Sequence, residues 1–327
     1  MNCDICNNVL YGKYVSVNGI RMHPACFNCS KCGFAIDSNY NFQNGKYYHE
    51  WCYNQEYGIK CCLCKNIIIG EYIIDFCDNR AHLTHNGINT ICCKSCGIFC
   101  FENVLCLCNT CEGKIIHNKT QIDYSFNKIL NSLSNLGLDI SKHNIMIIIK
   151  PKEQINSNGI NQLGYAQTTI YFFGKQRKFE HRISIVNNLP DLEFEGVLAH
   201  EMLHTWLTEN EIKLPDYQTE GFCNLGSFYL YGADNSKHGK YLINNLFADT
   251  SYIYGDGFRF MNKILETHNW TGLIKMLFET KRGHELTTLI NRNNNFSDEI
   301  EKILKLNKNS MVKKKPQINI NDIFNDF

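Results

Sequence analysis

Two histidines four positions apart, His200 and His204, are the residues of this 327-residue chain best placed to do chemistry, with Glu201 beside the first. On a helix, side chains four apart share one face, with Cβ atoms about 6 Å apart, so both imidazoles could bind one metal ion. Glu201 could then reach a water molecule at an open coordination position. The opposite face would be apolar and would anchor the helix in a core; it carries Leu198, Met202, Leu203 and Trp206. The pattern favours a metal site over a surface helix with coincidental histidines.

A catalytic zinc site needs a third protein ligand, and Glu220 is the best candidate. It begins a second apolar helix, and a loop containing Pro215 would let that helix fold back antiparallel onto the first. Cys223 is a rival ligand, but it is better explained as a small packed apolar group. In such a site Glu201 would take a proton from water and pass it to the leaving amine, which predicts peptide hydrolysis. The strand at residues 182–186 could lie along an extended substrate and pair with its backbone.

Cysteine is concentrated in one part of the chain: 18 are present, and all but Cys223 lie between Cys3 and Cys111. Many of these cysteines occur in pairs whose two members are separated by two residues, and in some pairs a histidine takes the place of one cysteine. Such a pair supplies two of the four ligands that tetrahedral zinc needs. The first two sites would use Cys3, Cys6, His23 and Cys26, then Cys29, Cys32, His49 and Cys52. These eight positions resemble the LIM double zinc finger, in which only two residues separate the first zinc site from the second. The alternative, scattered free cysteines, would have to produce this spacing by chance.

The segment from Cys61 to Cys111 resembles a second, degenerate copy. Its two sites would use Cys61, Cys64, His82 and His85, then Cys93, Cys96, Cys108 and Cys111. The ligands stay open here, since Cys77 could displace one histidine and Cys92 or Cys106 could replace a neighbour. The two histidines could also be solvated loop residues. Modules of about fifty residues bury too little apolar surface to fold without metal, so zinc binding would supply most of their folding free energy.

Charge and hydropathy narrow the class of protein. The formal net charge is +1, and the cysteine-rich region has no helix rich in Lys and Arg, which argues against nucleic acid as a partner. No apolar run approaches the roughly 20 residues that cross a bilayer, and the start of the chain lacks the features of a secretory signal. We expect a soluble cytoplasmic protein with no membrane partner, whose thiols bind zinc instead of forming disulfides.

The composition changes near Lys114, where the cysteines stop and amphipathic patterns begin. Strands are predicted at residues 145–149, 168–173 and 182–186, and a helix opens at Pro190. The predicted fold is α+β, with small zinc-bound LIM-type modules followed by a zincin-like metallopeptidase domain of the Glu type. The predicted divisions are a LIM domain at 1–58, a degenerate LIM-like domain at 59–115, the metallopeptidase domain at 116–305 and a flexible tail at 306–327.

Five segments together carry a resemblance to a known family. They are Tyr-His-Glu-Trp-Cys at 48–52, Lys-Cys-Cys-Leu-Cys at 60–64, His-Glu-Met-Leu-His-Thr-Trp at 200–206, Glu-Gly-Phe-Cys at 220–223 and Tyr-Gly-Asp-Gly-Phe-Arg at 254–259. Their order and types resemble the plant LIM-linked zinc peptidases of the DA-one type, from Cys3 to about Phe278.

The resemblance implies a cytosolic, ubiquitin-linked endopeptidase that cuts regulatory proteins. It implies zinc ligation by His200, His204 and Glu220, with Glu201 as the base. Tyr254 could donate to the oxyanion and Asp256 could orient a ligand histidine, although Gly255 and Gly257 could instead make this segment a helix-entry turn capped by Asp256. No acidic ubiquitin-interacting helix precedes Cys3, which departs from the plant pattern.

Two other classes of function compete with a peptidase. A non-catalytic LIM adaptor would use its second half only as structure, but a structural zinc site tends to take a fourth protein ligand and has no use for Glu201. A nucleic-acid regulator would show steeply salt-dependent binding. We expect protein substrates, with ubiquitin or ubiquitinated proteins as further partners, and one catalytic plus about four structural zinc ions.

Overall fold

The computed structural model describes residues 1–140, 144–155 and 162–291. Close contacts divide the chain into two units: residues 1–91 with 98–102, and residues 92–97 with everything from 103 onward. The divisions expected after residues 58, 115 and 305 stay predictions. The contact division differs from them in two ways: it places residues 92–97 and 103–115 in the second unit, and it does not separate residues 1–58 from those that follow. The predicted tail lies outside the described residues.

The first unit consists of short hairpins around small clusters of cysteine and histidine. Its strands are β1 (Val15–Val17), β2 (Ile20–Met22), β3 (Tyr40–Gln43), β4 (Lys46–His49), β5 (Ile73–Ile74), β6 (Arg80–Ala81), β7 (Thr84–His85), β8 (Ile88–Cys92, whose last residue belongs to the second unit) and β9 (Phe99–Phe101). A 3₁₀ turn covers Pro24–Cys26, and the helix α1 covers Glu50–Tyr57.

Three of these hairpins turn on Asn-Gly. At Asn18-Gly19, Asn44-Gly45 and Asn86-Gly87 both residues have positive φ, between 50° and 83°. That pair of angles defines the tight turn whose twist matches paired strands, and Asn-Gly tolerates it best. The first two of these hairpins lie between a cysteine pair and the histidine of the same predicted zinc site, and the third directly follows His85.

The second unit mixes helices with one three-stranded sheet, which confirms a mixed α and β architecture. Its elements are α2 (Asn109–Glu112), α3 (Lys119–Asn135), β10 (Ile145–Lys150), α4 (Lys152–Ile155), β11 (Gly164–Phe173), β12 (Gln176–Val186), α5 (Asp191–Glu209), α6 (Asp216–Asp234), α7 (Lys237–Ala248), a π-helical turn (Tyr252–Asp256), α8 (Gly257–Thr280) and α9 (Leu286–Asn291). Each predicted strand lies within an observed one. None of the helices in the described part of the chain is long and apolar enough to cross a membrane.

The strand order of this sheet is β10-β12-β11. Strand β12 is parallel to β10 and antiparallel to β11, with Arg182 registered against Met146 on one side and Gln167 on the other. Both edges of residues 182–186 are therefore occupied, so the prediction that this segment pairs with a substrate is wrong. Strand β11 pairs only with β12 among the described residues, and it is the sheet edge beside α5.

Helix α5 crosses the core of the second unit. Prolines stand just before the first residues of both α5 and α6, as the sequence indicates. The four residues expected to face the core, Leu198, Met202, Leu203 and Trp206, are all at most 2% exposed. Trp206 packs on Phe222 of α6 and on Phe278 of α8. Burial of one face leaves the histidine face of α5 directed at the start of α6.

Candidate metal centre

The three residues predicted as ligands of one metal ion converge. The Nε2 atoms of His200 and His204 are 3.2 Å apart. The Oε2 atom of Glu220 lies 3.1 Å from the first and 3.5 Å from the second. The i, i+4 spacing on α5 stacks the two rings, and packing of α6 against α5 brings the carboxylate to them. Two imidazole nitrogens and one carboxylate oxygen directed at a common point form a donor set that suits zinc.

A neighbouring amide fixes the orientation of the first histidine. His200 Nδ1 donates to Asn224 Oδ1 at 2.9 Å, and the Asn224 amide contacts the carbonyl of Tyr254 at 3.4 Å. With its hydrogen on Nδ1, the ring presents a lone pair at Nε2, which is the atom facing Glu220. Sequence reasoning missed Asn224, although its position one turn after Glu220 on α6 places both on one helix face.

Glu201 lines the same cavity as the three predicted ligands and lies next to strand β11. It is 5% exposed, and this burial raises the pKa of its carboxyl above the usual range. The backbone N–H of Ala166 donates to it. Gly164 leaves room for the carboxyl, since a Cβ there would lie 3.1 Å from Glu201 Oε1. A carboxylate with a raised pKa binds a proton more readily near neutral pH, as a general base must.

A cavity of about 550 Å³ opens in front of these groups. The β11 residues Gly164, Tyr165, Ala166 and Thr168 line one side of it, and Leu246, Asp249 and Tyr254 line another. All three predicted ligands and Glu201 face it. The candidate metal centre therefore opens onto this cavity.

The two residues proposed from the segment at 254–259 differ in their placement. Tyr254 lines the cavity, and its role as an oxyanion donor stays a prediction. Asp256 is buried and forms an ion pair with Arg259, whose guanidinium also donates to the carbonyls of Phe247 and Asp249. Asn224 accepts from His200, and Asp256 pairs with Arg259 at the turn before α8, so the orientation of the other ligand histidine by Asp256 stays a prediction.

Cys223 competes with Glu220 for the third position. Its sulfur lies within 4.8 Å of ring nitrogens of both His200 and His204, and it is fully buried. Burial raises the pKa of this thiol, which disfavours the thiolate that would bind metal. The pKa of Glu220 lies at about 2: burial would raise it, but hydrogen bonds to the two histidines outweigh that effect. Glu220 is charged and faces the cavity, so we prefer it as the ligand.

The first two predicted zinc sites are assembled in the first unit. Each of the groups Cys3, Cys6, His23, Cys26 and Cys29, Cys32, His49, Cys52 has its ligand atoms within 4.8 Å of one another. In both groups the histidine presents Nδ1 to a cysteine sulfur at 3.4 Å, and its Nε2 contacts a backbone carbonyl at 3.1 Å. That second contact fixes the ring for zinc binding.

The third and fourth predicted groups are assembled too. Their members are Cys61, Cys64, His82 and His85, and Cys93, Cys96, Cys108 and Cys111, here called the four-cysteine site. His85 Nε2 lies 3.1 Å from Cys61 Sγ, while its Nδ1 lies 3.1 Å from Thr90 Oγ1, so it is not a solvated loop residue. The surplus cysteines are outside these groups within the described residues. The donor types and spacing fit zinc in all four.

Comparison with known proteins agrees with this arrangement. Residues 3–57 match the LIM domain family, so the amino-terminal part of the chain is a LIM domain and its clusters are structural zinc sites. The chain is 24% identical to Protein DA1-related 2 of Arabidopsis thaliana over 277 residues, which cover 69% of this chain and 52% of the relative. It is 23% identical to Protein DA1 of the same plant over 340 residues, covering 79% and 63%.

The resemblance to DA1-like LIM proteins is therefore confirmed over most of the chain. The chain spans about half to just under two thirds of the length of these relatives. A shorter match, to Actin-binding LIM protein 3 of mouse, has 28% identity over 123 residues and covers 36% of this chain and 18% of that protein.

Proposed function

We propose that the second unit is a zincin-like metallopeptidase domain of the Glu type that cleaves protein substrates. The observation that carries this proposal is the convergence of His200, His204 and Glu220 at a cavity that Glu201 also lines. Three protein ligands leave one position open, which separates a catalytic zinc site from a closed structural one. Bound zinc would supply a Lewis acid and an acidified water molecule.

The chain's own residues would carry the proton. The carboxylate of Glu201, with its raised pKa, accepts a proton from the attacking water and delivers it to the nitrogen of the departing amine. Ala166 N–H holds the carboxylate in place. Asn224 keeps the hydrogen of His200 on Nδ1, so that Nε2 stays available for the metal.

The open edge of β11 would bind the substrate backbone. Val186 N donates to the carbonyl of Leu163 at 2.8 Å, so in this antiparallel pair alternate β11 residues bond to β12. The residues between them, Gly164, Ala166 and Thr168, then direct their backbone groups at the open edge, and the bond from Ala166 to Glu201 agrees with this alternation. An extended peptide added there would run past Glu201.

LIM domains mediate contacts between proteins, and we propose that the first unit recruits substrates or regulators. The link to ubiquitin and the cytoplasmic location rest on the family resemblance alone. A LIM adaptor without catalysis is the second candidate function, because the family match lies in the LIM domain, which needs no peptidase activity to contact other proteins.

Cleavage of denatured casein by the zinc-loaded full chain distinguishes these functions. Glu201→Gln should lose at least about a hundredfold of the activity and keep its metal, since a general base contributes roughly 10² to 10⁴ in rate. Glu211→Gln is the matched control on an exposed carboxylate just after α5, and it should cleave like the wild type. Equal cleavage by Glu201→Gln and the wild type would exclude the proposed chemistry.

Metal analysis tests the site separately from activity. About five zinc ions per chain are expected from five tetrahedral sites, and His200→Ala should lose one. An unchanged zinc content in His200→Ala would place the fifth ion elsewhere.

A further inference from the structure

The four-cysteine site belongs to the second unit, although its spacing resembles the end of a LIM-like module. All four of its cysteines are at most 7% exposed, whereas Cys6 and Cys32 of the first two sites are exposed. We propose that the metal of the four-cysteine site positions the start of α5, the helix that carries His200 and His204. This inference concerns the order of α5 and holds whether or not the chain is a peptidase.

The first contact comes from the turn between Cys93 and Cys96. Ser95 lies in this turn and is fully buried, with its hydroxyl 2.9 Å from His238 Nε2 at the start of α7. The Ser95 side chain also interacts with Glu193 in the first turn of α5, and this interaction lowers the pKa of the Glu193 carboxyl against the larger rise caused by burial. One hydroxyl can serve both partners, since it donates once and accepts twice. A single buried side chain therefore joins the metal-binding turn to two helices.

The second contact is steric. Gly97 closes the same turn with a φ of 74°, and its N–H donates to the carbonyl of Cys93. A Cβ at Gly97 would lie 2.3 Å from the ring of Tyr241 on α7. The turn thus packs directly on α7 and has no room for a side chain there.

The third contact follows the second cysteine pair. Three residues after Cys111, the carbonyl of Lys114 accepts from the N–H of Asp191 at 2.9 Å. Ile116 N donates to the carbonyl of Leu189 at 3.1 Å, next to a bridge between Ile115 and Pro190. The first N–H groups of a helix have no partner within it, so this strand-like segment satisfies one of them and fixes the direction in which α5 begins.

Together, the two cysteine pairs contact the first turn of α5 at two points, Glu193 and Asp191. The pairs come from separate turns of the chain, and a metal ion would be the bond that holds one pair against the other. Loss of that ion would release Ser95 and Lys114 together. The first turns of α5 would then open more often, and His200 lies only two turns further along.

Hydrogen exchange of the zinc-loaded full chain, read by mass spectrometry on peptides from α5, tests this inference. Cys108→Ser should lose one zinc and exchange at least roughly tenfold faster in the first half of α5, as local opening becomes easier. Cys29→Ser is the matched control: it should also lose one zinc, but faster exchange should be confined to the first unit. Unchanged α5 exchange in Cys108→Ser with one zinc lost would overturn the proposal.

A second variant decides the question if Cys108→Ser does not fold. Ser95→Ala keeps all four thiols, so its zinc content should equal that of the wild type. Removing the hydroxyl takes a polar contact away from the partly buried His238 and Glu193, and exchange at the start of α5 should rise roughly tenfold. Wild-type exchange in Ser95→Ala would contradict the inference. Neither readout requires peptidase activity, so failure here is distinct from failure of the proposed function.

Discussion

Helices α6 and α8 meet at two glycines beside the candidate metal centre. A Cβ at Gly221 would lie 2.1 Å from the carbonyl oxygen of Gly257, and a Cβ at Gly257 would lie 2.0 Å from the carbonyl oxygen of Tyr217. Both obstacles are backbone atoms, which cannot rotate away as a side chain can. Gly221→Ala must therefore push the two helices apart, and it directly follows Glu220.

The size of the effect comes from two opposing terms. Overpacking costs about 3 kcal/mol at the upper end of its usual range, which a clash with backbone justifies. Replacing glycine by alanine within a helix stabilises it by about 1 kcal/mol. The net loss is about 2 kcal/mol, or about 4–8 °C in melting temperature for a unit of roughly 200 residues.

Calorimetry of the zinc-loaded full chain can measure this shift, with Gly226→Ala on the same helix as the matched control. A Cβ at Gly226 would meet the end of the Leu203 side chain at 3.0 Å, which can move, and the carbonyl oxygen of Ala199 at 3.3 Å. The higher helix propensity of alanine should offset that crowding, so the melting temperature of Gly226→Ala should lie within about 4 °C of the wild-type value. If Gly221→Ala melted at or above the temperature of Gly226→Ala, the close approach of the helices would not limit stability.

Three further predictions concern charges and the metal. Lys128→Ala should destabilise the second unit by about 3 kcal/mol in urea unfolding, because it leaves the buried Glu195 carboxylate without the ammonium group that lies 2.6 Å away. Lys119→Ala removes one partner of an exposed ion pair and should change stability by less than about 0.5 kcal/mol. Similar losses of stability in the two variants would refute this prediction. Asn224→Leu should weaken zinc binding at the candidate centre about 10- to 100-fold in a chelator competition. If the variant bound zinc as tightly as the wild type, Asn224 would not be needed to orient His200. In chelator-treated protein the pKa of Glu220 is depressed to about 2, so the charged carboxylate stabilises the folded state above the unfolded pKa of about 4.3, and this contribution is lost as the pH falls towards 2. The difference in melting temperature between the wild type and Glu220→Gln should therefore shrink between these pH values. A difference that becomes larger on acidification would contradict this prediction.

The ligand groups could be predicted from the sequence because their information is local. A cysteine pair separated by two residues closes on itself in one turn, and two histidines four apart share a helix face wherever that helix lies. Glu220 required one further step, a helix folding back after Pro215, and the structure places it as that step indicates.

The features that the sequence did not reveal depend on contacts between separate parts of the chain. Strand order is decided by pairing between segments far apart, so the central position of β12 could not be inferred from its own residues. The ion pair of Asp256 with Arg259, one turn later, was not predicted either, because spacing alone does not show which side chains face each other. The assignment of the four-cysteine site to the second unit depends on Ser95 and Lys114 meeting α5 and α7, and spacing carries no record of such contacts.

The exposed edge of β11 has a consequence for handling the protein. This strand is ten residues long, and its far end carries Phe172 and Phe173 at 68% and 64% exposure. A strand edge that has no partner among the described residues and carries exposed aromatic side chains can pair with another extended chain, including the same strand of a second copy. We expect association that increases with protein concentration, and a peptide seated on this edge should suppress it.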